Sequence, residues 1–346
     1  MEREERYLNV AAYKFVALSL ERQEQVRLLL KAWCKENNLK GTIYIAAEGF
    51  NCFLAGREED LRRFQRAVAD SLPEAEGLEY KESWASILPF ERLTVRKKKE
   101  IIALGVEDLT LPFFEEQAGD KEEVAPHLPP EEFAKWLKEG KDMLILDTRN
   151  TYETRVGTFA NSITLDIETF RDFPSAMQRF IEEQNCKNNK TTTTTKEKQE
   201  IEPKAEETEE TAESKDIREK PVVMFCTGGV RCEKAGPLLQ KKMGFKQVYQ
   251  LDGGILKYFE KIGGDFYEGD CYVFDKRLAL TPQLAPREDL AQCQTCRNPL
   301  TSEDRQSPLY KPPHSCPYCP PGSSSSSSSS PYSSPSCSSS SPQVEE

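Results

Sequence analysis

The chain has 346 residues and carries 58 Asp and Glu against 47 Lys and Arg, a formal net charge of −11. That length allows two or three domains, and the acidic balance argues against nucleic-acid binding by bulk charge. No apolar run approaches the roughly 18–20 residues that span a bilayer, and Met1 to Arg6 has neither an apolar signal core nor an Arg- and Ser-rich transit character. No membrane association is expected, and the expected compartment is the cytoplasm. In such a compartment eleven cysteines point to metal ligation or thiol chemistry and away from disulfides.

In chain order, residues 7–17 read as a strand. Residues 20–37 place Leu20, Val26, Leu29, Leu30 and Trp33 at the spacing of an amphipathic helix. Strands follow at 42–46 and 51–55, separated by the turn signal Glu48-Gly49. A helix over 57–71 carries Leu61, Phe64 and Val68 on one face. A last strand fits within 78–84 or 93–103. This β-α-β-β-α-β order is that of an α+β ferredoxin-like domain, taken as residues 6–110. Residues 111–128 are read as a linker.

A second pattern begins at a helix over 129–139, with Pro130 suited to its first turn. Met143 to Leu146 and Pro221 to Phe225 are short apolar runs, the signature of buried parallel strands. Helices at 174–184, 231–243 and 254–261 and a strand at Val248-Tyr249 complete an α/β domain with a parallel sheet, residues 129–267. Sites in such sheets form at the carboxyl ends of strands, where Asp147 and Cys226 both lie. Residues 187–220 are Lys, Glu and Thr with few apolar side chains. They read as a disordered insertion inside this domain, and the Ser-rich residues 321–346 as a disordered tail. Between them, residues 268–320 form a cysteine-rich tail.

The sharpest motif is Cys226-Thr227-Gly228-Gly229-Val230-Arg231, a strand, a tight loop and a helix start. Gly228 and Gly229 allow backbone N–H groups to converge, which makes an anion-binding loop of Thr227, Gly228, Gly229 and Val230. The same field, with Arg231, favours a thiolate at Cys226. Cys232, one turn on, is a candidate resolving thiol, although burial as a packing residue is the simpler account of it. Cys293-x2-Cys296 and Cys316-x2-Cys319 are two knuckles nineteen residues apart, within the spacing of a closed, structural four-thiolate zinc site. His314 is a weaker alternative ligand. The basic run Arg96, Lys97, Lys98 and Lys99, with Trp84 and Phe90 as stacking aromatics, is the candidate RNA contact.

The Cys-x4-Arg loop, Asp147-Thr148-Arg149 and Asp252-Gly253-Gly254-Ile255 resemble the rhodanese superfamily, in which the loop cysteine carries a persulfide. Related phosphatases have one more residue between Cys and Arg, so phosphatase chemistry is disfavoured. A closer resemblance covers nearly the whole folded chain. It rests on Glu48-Gly49-Phe50-Asn51, Pro89 to Arg96, Lys99 to Gly105, Cys226 to Lys234 and Cys271 to Arg277. These segments are similar, in this order, to those of the oxygen-dependent tRNA uridine hydroxylases. That resemblance implies 5-hydroxylation of the wobble uridine of tRNA, with O2 and an unidentified reductant as partners.

The chain has only two histidines, His127 and His314, which leaves little for a two-His, one-carboxylate iron site. No Gly-x-Gly-x-x-Gly follows an expected strand, so no flavin or nicotinamide site is expected. If the chain hydroxylates uridine, Cys226 is then the central group. A sulfurtransferase moving sulfane sulfur from a donor through a Cys226 persulfide is the alternative, since the same loop serves both. An inactive rhodanese-like interaction module is a third reading, which intact Cys226 and Arg231 oppose.

Overall fold

The computed structural model describes residues 6–107, 109, 111, 125–196 and 216–320. It divides after Glu288 into two compact units. The larger one opens with β1 (Tyr7–Phe15), α1 (Leu20–Glu36), β2 (Lys40–Ala46), β3 (Gly49–Gly56), α2 (Glu58–Ser71), β4 (Lys81–Ala85) and β5 (Leu93–Lys97). The sheet order is β4-β1-β3-β2-β5, antiparallel except for β5, which adds in parallel to the free edge of β2. The two stretches offered as alternatives for the last strand therefore both form strands. β4 completes the ferredoxin-like order, and β5 extends the opposite edge.

Strand alternation decides what each face does. Leu8, Val10 and Ala12 of β1 are buried with Ile43, Ile45, Cys52 and Leu54 against Val26 and Leu30 of α1 and Leu61, Phe64 and Val68 of α2. The intervening residues of β1, Asn9, Ala11 and Tyr13, share the opposite face with Ser83, Lys81 and Phe53, to which they or their neighbours are registered. Ser19 caps α1, its hydroxyl accepting the Arg22 N–H at 3.1 Å, which fixes where the chain leaves β1.

The second sheet is parallel throughout, in the order β6-β11-β10-β7-β9. Its strands are β6 (His127–Leu128), β7 (Leu144–Asp147), β9 (Ile163–Thr164), β10 (Val222–Phe225) and β11 (Val248–Leu251). Helices α3 (Pro130–Lys138), α5 (Phe173–Lys196) and α7 (Gly254–Lys261), with the short α4 (Thr151–Thr154) and α6 (Cys232–Pro237), complete it. Both faces of the central strand are covered. Val222 and Met224 pack with Phe173, Met177 and Leu239, and Val223 and Phe225 with Phe133, Phe159 and Tyr258. Such two-sided burial is why these strands read as continuous apolar runs.

The helix expected over 231–243 is broken in two. After Pro237 the chain takes a π-helical turn at Leu238–Lys242, because proline supplies no N–H to continue the i→i−4 ladder. The expected insertion also differs at its ends. Helix α5 continues to Lys196, and Ile217 is buried in the core beside Val222 and Phe245. The centre of that segment and the Ser-rich tail lie outside the described residues.

Residues 268–288, grouped by sequence with the cysteine-rich tail, belong to the larger unit. There β12 (Tyr267–Gly269) pairs with β8 (Gly157–Phe159), and β13 (Cys271–Tyr272) with β14 (Ala279–Leu280). The smaller unit carries a two-stranded hairpin, β15 (Ala291–Gln292) and β16 (Pro299–Leu300), beside its cysteines. Among the described residues no helix is long and apolar enough to cross a membrane.

Candidate active site

Cys226 follows the carboxyl end of β10 and is 1% exposed. The backbone N–H of Gly229 donates to its sulfur at 3.1 Å. Gly229 sits at φ +96°, and a Cβ there would lie 2.8 Å from the hydroxyl of Tyr13, so both conformation and space demand glycine. The carbonyls of Cys226 and Thr227 are drawn the other way, accepting from the N–H groups of Ile255 (3.0 Å) and Leu256 (3.1 Å) at the start of α7. That start approaches the loop so closely that a Cβ on Gly254 would meet Cys226 O at 2.5 Å and the nitrogens of Gly228 and Gly229 at 2.9 Å. Gly254 thus lets the start of α7 close on the loop, whose Gly229 N–H is turned toward the sulfur.

Burial opposes ionisation of Cys226, but three influences outweigh it: hydrogen bonding from Cys232, the Arg231 guanidinium, and loop N–H groups. Together they lower the thiol to about 6. Cys232 moves the opposite way, held well above its ordinary value by burial and by the neighbouring Cys226. The two shifts are opposite in direction, so Cys226 is the one of the pair that ionises more readily.

Arg231 is not the free cation that the motif suggests. Its two terminal nitrogens form a two-pronged pair with Glu153 at 2.8 and 2.7 Å, and both side chains are buried. A buried guanidinium requires such a partner. Arg231 therefore acts on the sulfur by field, while its donors belong to Glu153. Asp147 is similarly committed. It holds Arg149, which is wholly buried, at 2.7 Å, and accepts from Thr158 at 2.8 Å.

The ferredoxin-like domain supplies a second wall that sequence reading missed. The Tyr13 hydroxyl donates to Glu233 at 3.1 Å, and the Lys81 ammonium lies 4.8 Å from the centre of the Tyr13 ring. Glu233 also faces His127 at 3.4 Å, and the other nitrogen of that imidazole lies 3.4 Å from Asp252. Asp252 and Glu233 together raise His127 to about 10, so it is a cation at neutral pH.

Behind the loop, the buried Lys234 ammonium binds Glu48 and Glu100 and donates to Ile102 O at 3.1 Å. Glu48 in turn accepts the Ile101 N–H at 2.8 Å. Three of the sequence segments that carry the family resemblance therefore meet at one ion cluster. Alternation along β1 offered a signal for Tyr13 and Asn9, since both are polar and lie off the core face. Nothing in the sequence said what they would face.

The residues grouped for RNA contact are not brought together. Trp84 packs on the helix side of the sheet, on edge strand β4. Arg96 to Lys99 lie on and just past β5, at the opposite edge of the five strands. All four basic residues are exposed, although Lys97 pairs with Glu24, Lys99 pairs with Glu107 and Lys98 lies over the Tyr44 ring. Phe90 does reach the active-site side, lining a crevice beside Thr227.

In the smaller unit the sulfurs of Cys293, Cys296, Cys316 and Cys319 all lie within 4.8 Å of one another. Neighbouring pairs are 3.4, 3.7 and 3.8 Å apart. Thiolates at about 2.3 Å from a tetrahedral metal would stand roughly 3.8 Å from each other, so the donor set and its spacing suit such an ion. His314 is not one of the group.

An acidified buried thiol at a parallel-sheet strand end, closed by a Gly-rich loop, defines a rhodanese-type site roofed by a ferredoxin-like sheet. Residues 7–101 match the UPF0176 acylphosphatase-like domain, and residues 129–261 match the rhodanese-like domain. The tRNA uridine(34) hydroxylase of Burkholderia cenocepacia (strain HI2424) is 40% identical over 326 residues, covering 92% of this chain and 98% of that protein. The protein of the same name from Cupriavidus taiwanensis is 39% identical, covering 90% and 96%. The chain belongs to the tRNA uridine(34) hydroxylase family.

Proposed function

We propose that this chain is a tRNA-modifying enzyme that hydroxylates carbon 5 of the wobble uridine, with Cys226 as the reacting thiolate. The observation that carries the assignment to Cys226 is its setting. The Gly229 N–H donates to the sulfur at 3.1 Å, and this contact, with the Arg231 guanidinium and Cys232, favours the thiolate against burial. The overall conversion inserts one oxygen atom of O2 into a C–H bond and reduces the other to water, so it consumes two electrons and two protons from a reductant. Arg231 holds the negative charge on the sulfur, and Thr227 to Val230 form the loop that surrounds it. Cys232, the candidate resolving thiol, keeps its own proton and donates toward the Cys226 sulfur; to resolve an oxidised Cys226 it would first have to lose that proton.

The partners on this reading are tRNA, O2 and the reductant, and the compartment is the cytoplasm, where tRNA is met. Exposed Arg96 to Lys99 contact the RNA backbone. Trp84, on the helix side of the sheet, is the weakest member of that set. Cys293, Cys296, Cys316 and Cys319 hold a structural zinc, closing the tetrahedron with no open position. Metal analysis should find one equivalent of zinc per chain, and less than half an equivalent after mild purification would contradict this.

The deciding experiment is nucleoside mass spectrometry of tRNA from cells lacking the gene. 5-Hydroxyuridine derivatives should disappear and return with the wild-type chain but not with Cys226→Ala. Unchanged tRNA, together with thiosulfate:cyanide activity of the pure protein, would instead favour sulfur transfer through a Cys226 persulfide.

A further inference from the structure

Beside the Cys226 loop, the ferredoxin-like sheet and residues 273–280 enclose a crevice with about 410 Å³ of empty space, part of it open solvent. Thr227, the residue after Cys226, lies on one side. Asn9, Lys81 and Ser83 come from β1 and β4, and Phe90 and Phe274 supply aromatic rings.

Two of its polar side chains are buried without a proper partner. Asn9 is 3% exposed. Its amide nitrogen is fixed by donating to the carbonyls of Tyr7 and Ser83, both at 3.3 Å, which leaves the amide oxygen with no donor. Thr227 is 9% exposed, and its hydroxyl meets only the weakly accepting sulfur of Cys271. A buried acceptor left unmade costs about 1–3 kcal/mol, so such groups call for a ligand or ordered water. Lys81 adds a third. Its ammonium is largely buried and lies over the Tyr13 ring, with no carboxylate at ion-pair distance among the described residues.

We propose that this crevice receives the base of the substrate nucleotide, turned out of the anticodon stack, and selects uracil over cytosine. The inference rests on the functional reading above. Enzymes that modify a base read its pairing edge by hydrogen bonds while aromatic or apolar side chains hold its faces. The pairing edge of uracil offers an N3–H donor between two carbonyl acceptors, whereas cytosine has an acceptor at N3 and an amino donor at C4. Asn9 Oδ1 accepts from N3–H. Lys81 and the Thr227 hydroxyl donate to the carbonyls. Against cytosine, Asn9 would face a lone pair and Lys81 would face an amino group. Phe90 and Phe274 hold the faces of the ring. Thr227, the residue after Cys226, places the crevice against the loop that carries the thiol.

The test uses the full chain and synthetic anticodon stem-loops that differ only in carrying U or C at position 34. Binding is measured by fluorescence anisotropy with Cys226→Ser, to prevent turnover. Hydroxylation of U34 is measured separately, by nucleoside mass spectrometry of tRNA from cells lacking the gene and complemented with the wild-type chain, where the reductant is present. The U34 stem-loop should bind at least tenfold more tightly than C34. Lys81→Met, which keeps the side-chain stem, should lose most of that preference by weakening U34 and leaving C34 unchanged, whereas Thr227→Val, which keeps its shape but faces the C2 carbonyl that both bases carry, should weaken U34 and C34 alike. Asn9→Leu should abolish the preference, and its melting temperature reports whether the strand tolerates the change. If the wild-type chain hydroxylates U34 while Lys81→Met keeps the full preference and Thr227→Val leaves both affinities unchanged, the crevice assignment is overturned and the activity stands. If the wild-type chain forms no 5-hydroxyuridine and binds both stem-loops alike, the functional reading falls and takes this assignment with it.

Discussion

The Lys234→Met variant probes the joint on which the site depends. Lys234 is 4% exposed and lies 2.9 Å from Glu48 and 2.5 Å from Glu100, whose side chains are 12% and 16% exposed. Methionine preserves the stem and deletes the charge, so two half-sequestered carboxylates would face each other. Removing one partner from a buried pair destabilises by about 3–5 kcal/mol, and the loss should appear in the urea midpoint at pH 7.5.

The sign with pH follows from Glu100. Burial alone would raise its carboxyl, but Lys234 and the N–H groups of Leu104 and Gly105 win and hold it below the ordinary range. A depressed carboxyl stabilises the fold above its unfolded value, and that contribution is lost as pH falls through the folded value. In the variant the influence reverses, because burial and a like charge both raise a carboxyl. Protonation then relieves the strain, so the gap to wild type should narrow between pH 7.5 and pH 5.5. Adding Glu100→Gln to Lys234→Met should recover part of the loss. A gap that is absent at pH 7.5, or that is the same at both pH values, would refute this account.

Three further outcomes are expected. Iodoacetamide should alkylate Cys226 at a rate that rises through a midpoint near pH 6 and is flat above pH 7, and a midpoint above 8 would remove the thiolate from the argument. His127 is raised in the folded chain to about 10, so its stabilising contribution is complete below the unfolded value of about 6.5 and fades as pH rises through 10. The melting temperature of wild type should therefore fall toward that of His127→Gln between pH 7 and pH 10, and curves that stay parallel would count against the His127 pairs. Reversing the charge of Arg96, Lys98 and Lys99 should weaken tRNA binding and flatten the dependence of log Kd on log salt by about one unit per lost phosphate contact. An unchanged slope would move the RNA path elsewhere.

Much of the larger unit was legible because its signals are local. The period-2 pattern of Leu8, Val10 and Ala12 and the helical spacing of Leu61, Phe64 and Val68 place both core faces. The loop from Cys226 to Arg231 carries its own geometry in its glycines. What could not be read is what depends on docking. Glu153 meets Arg231 across 78 residues, and no periodicity connects them. Sheet order sent Trp84 and the basic run to opposite edges, although they stand close in sequence. The segments around Glu48, Glu100 and Lys234 were noticed as motifs, yet their common purpose is a single ion cluster that exists only once the two domains meet.

Tyr13 touches Glu233 across 220 residues of chain, and this separation divides the labour of the site. The reactivity of the sulfur is set by the loop, Arg231 and Cys232, all on the parallel-sheet side. On the crevice assignment, admission falls to Asn9 and Lys81, which sit on a different domain. Substitutions along β1 and β4 can therefore alter which molecules reach the thiolate while the loop N–H groups, Arg231 and Cys232 that chiefly acidify it stay in place. On that assignment the rhodanese loop supplies reactivity and the sheet above it supplies choice.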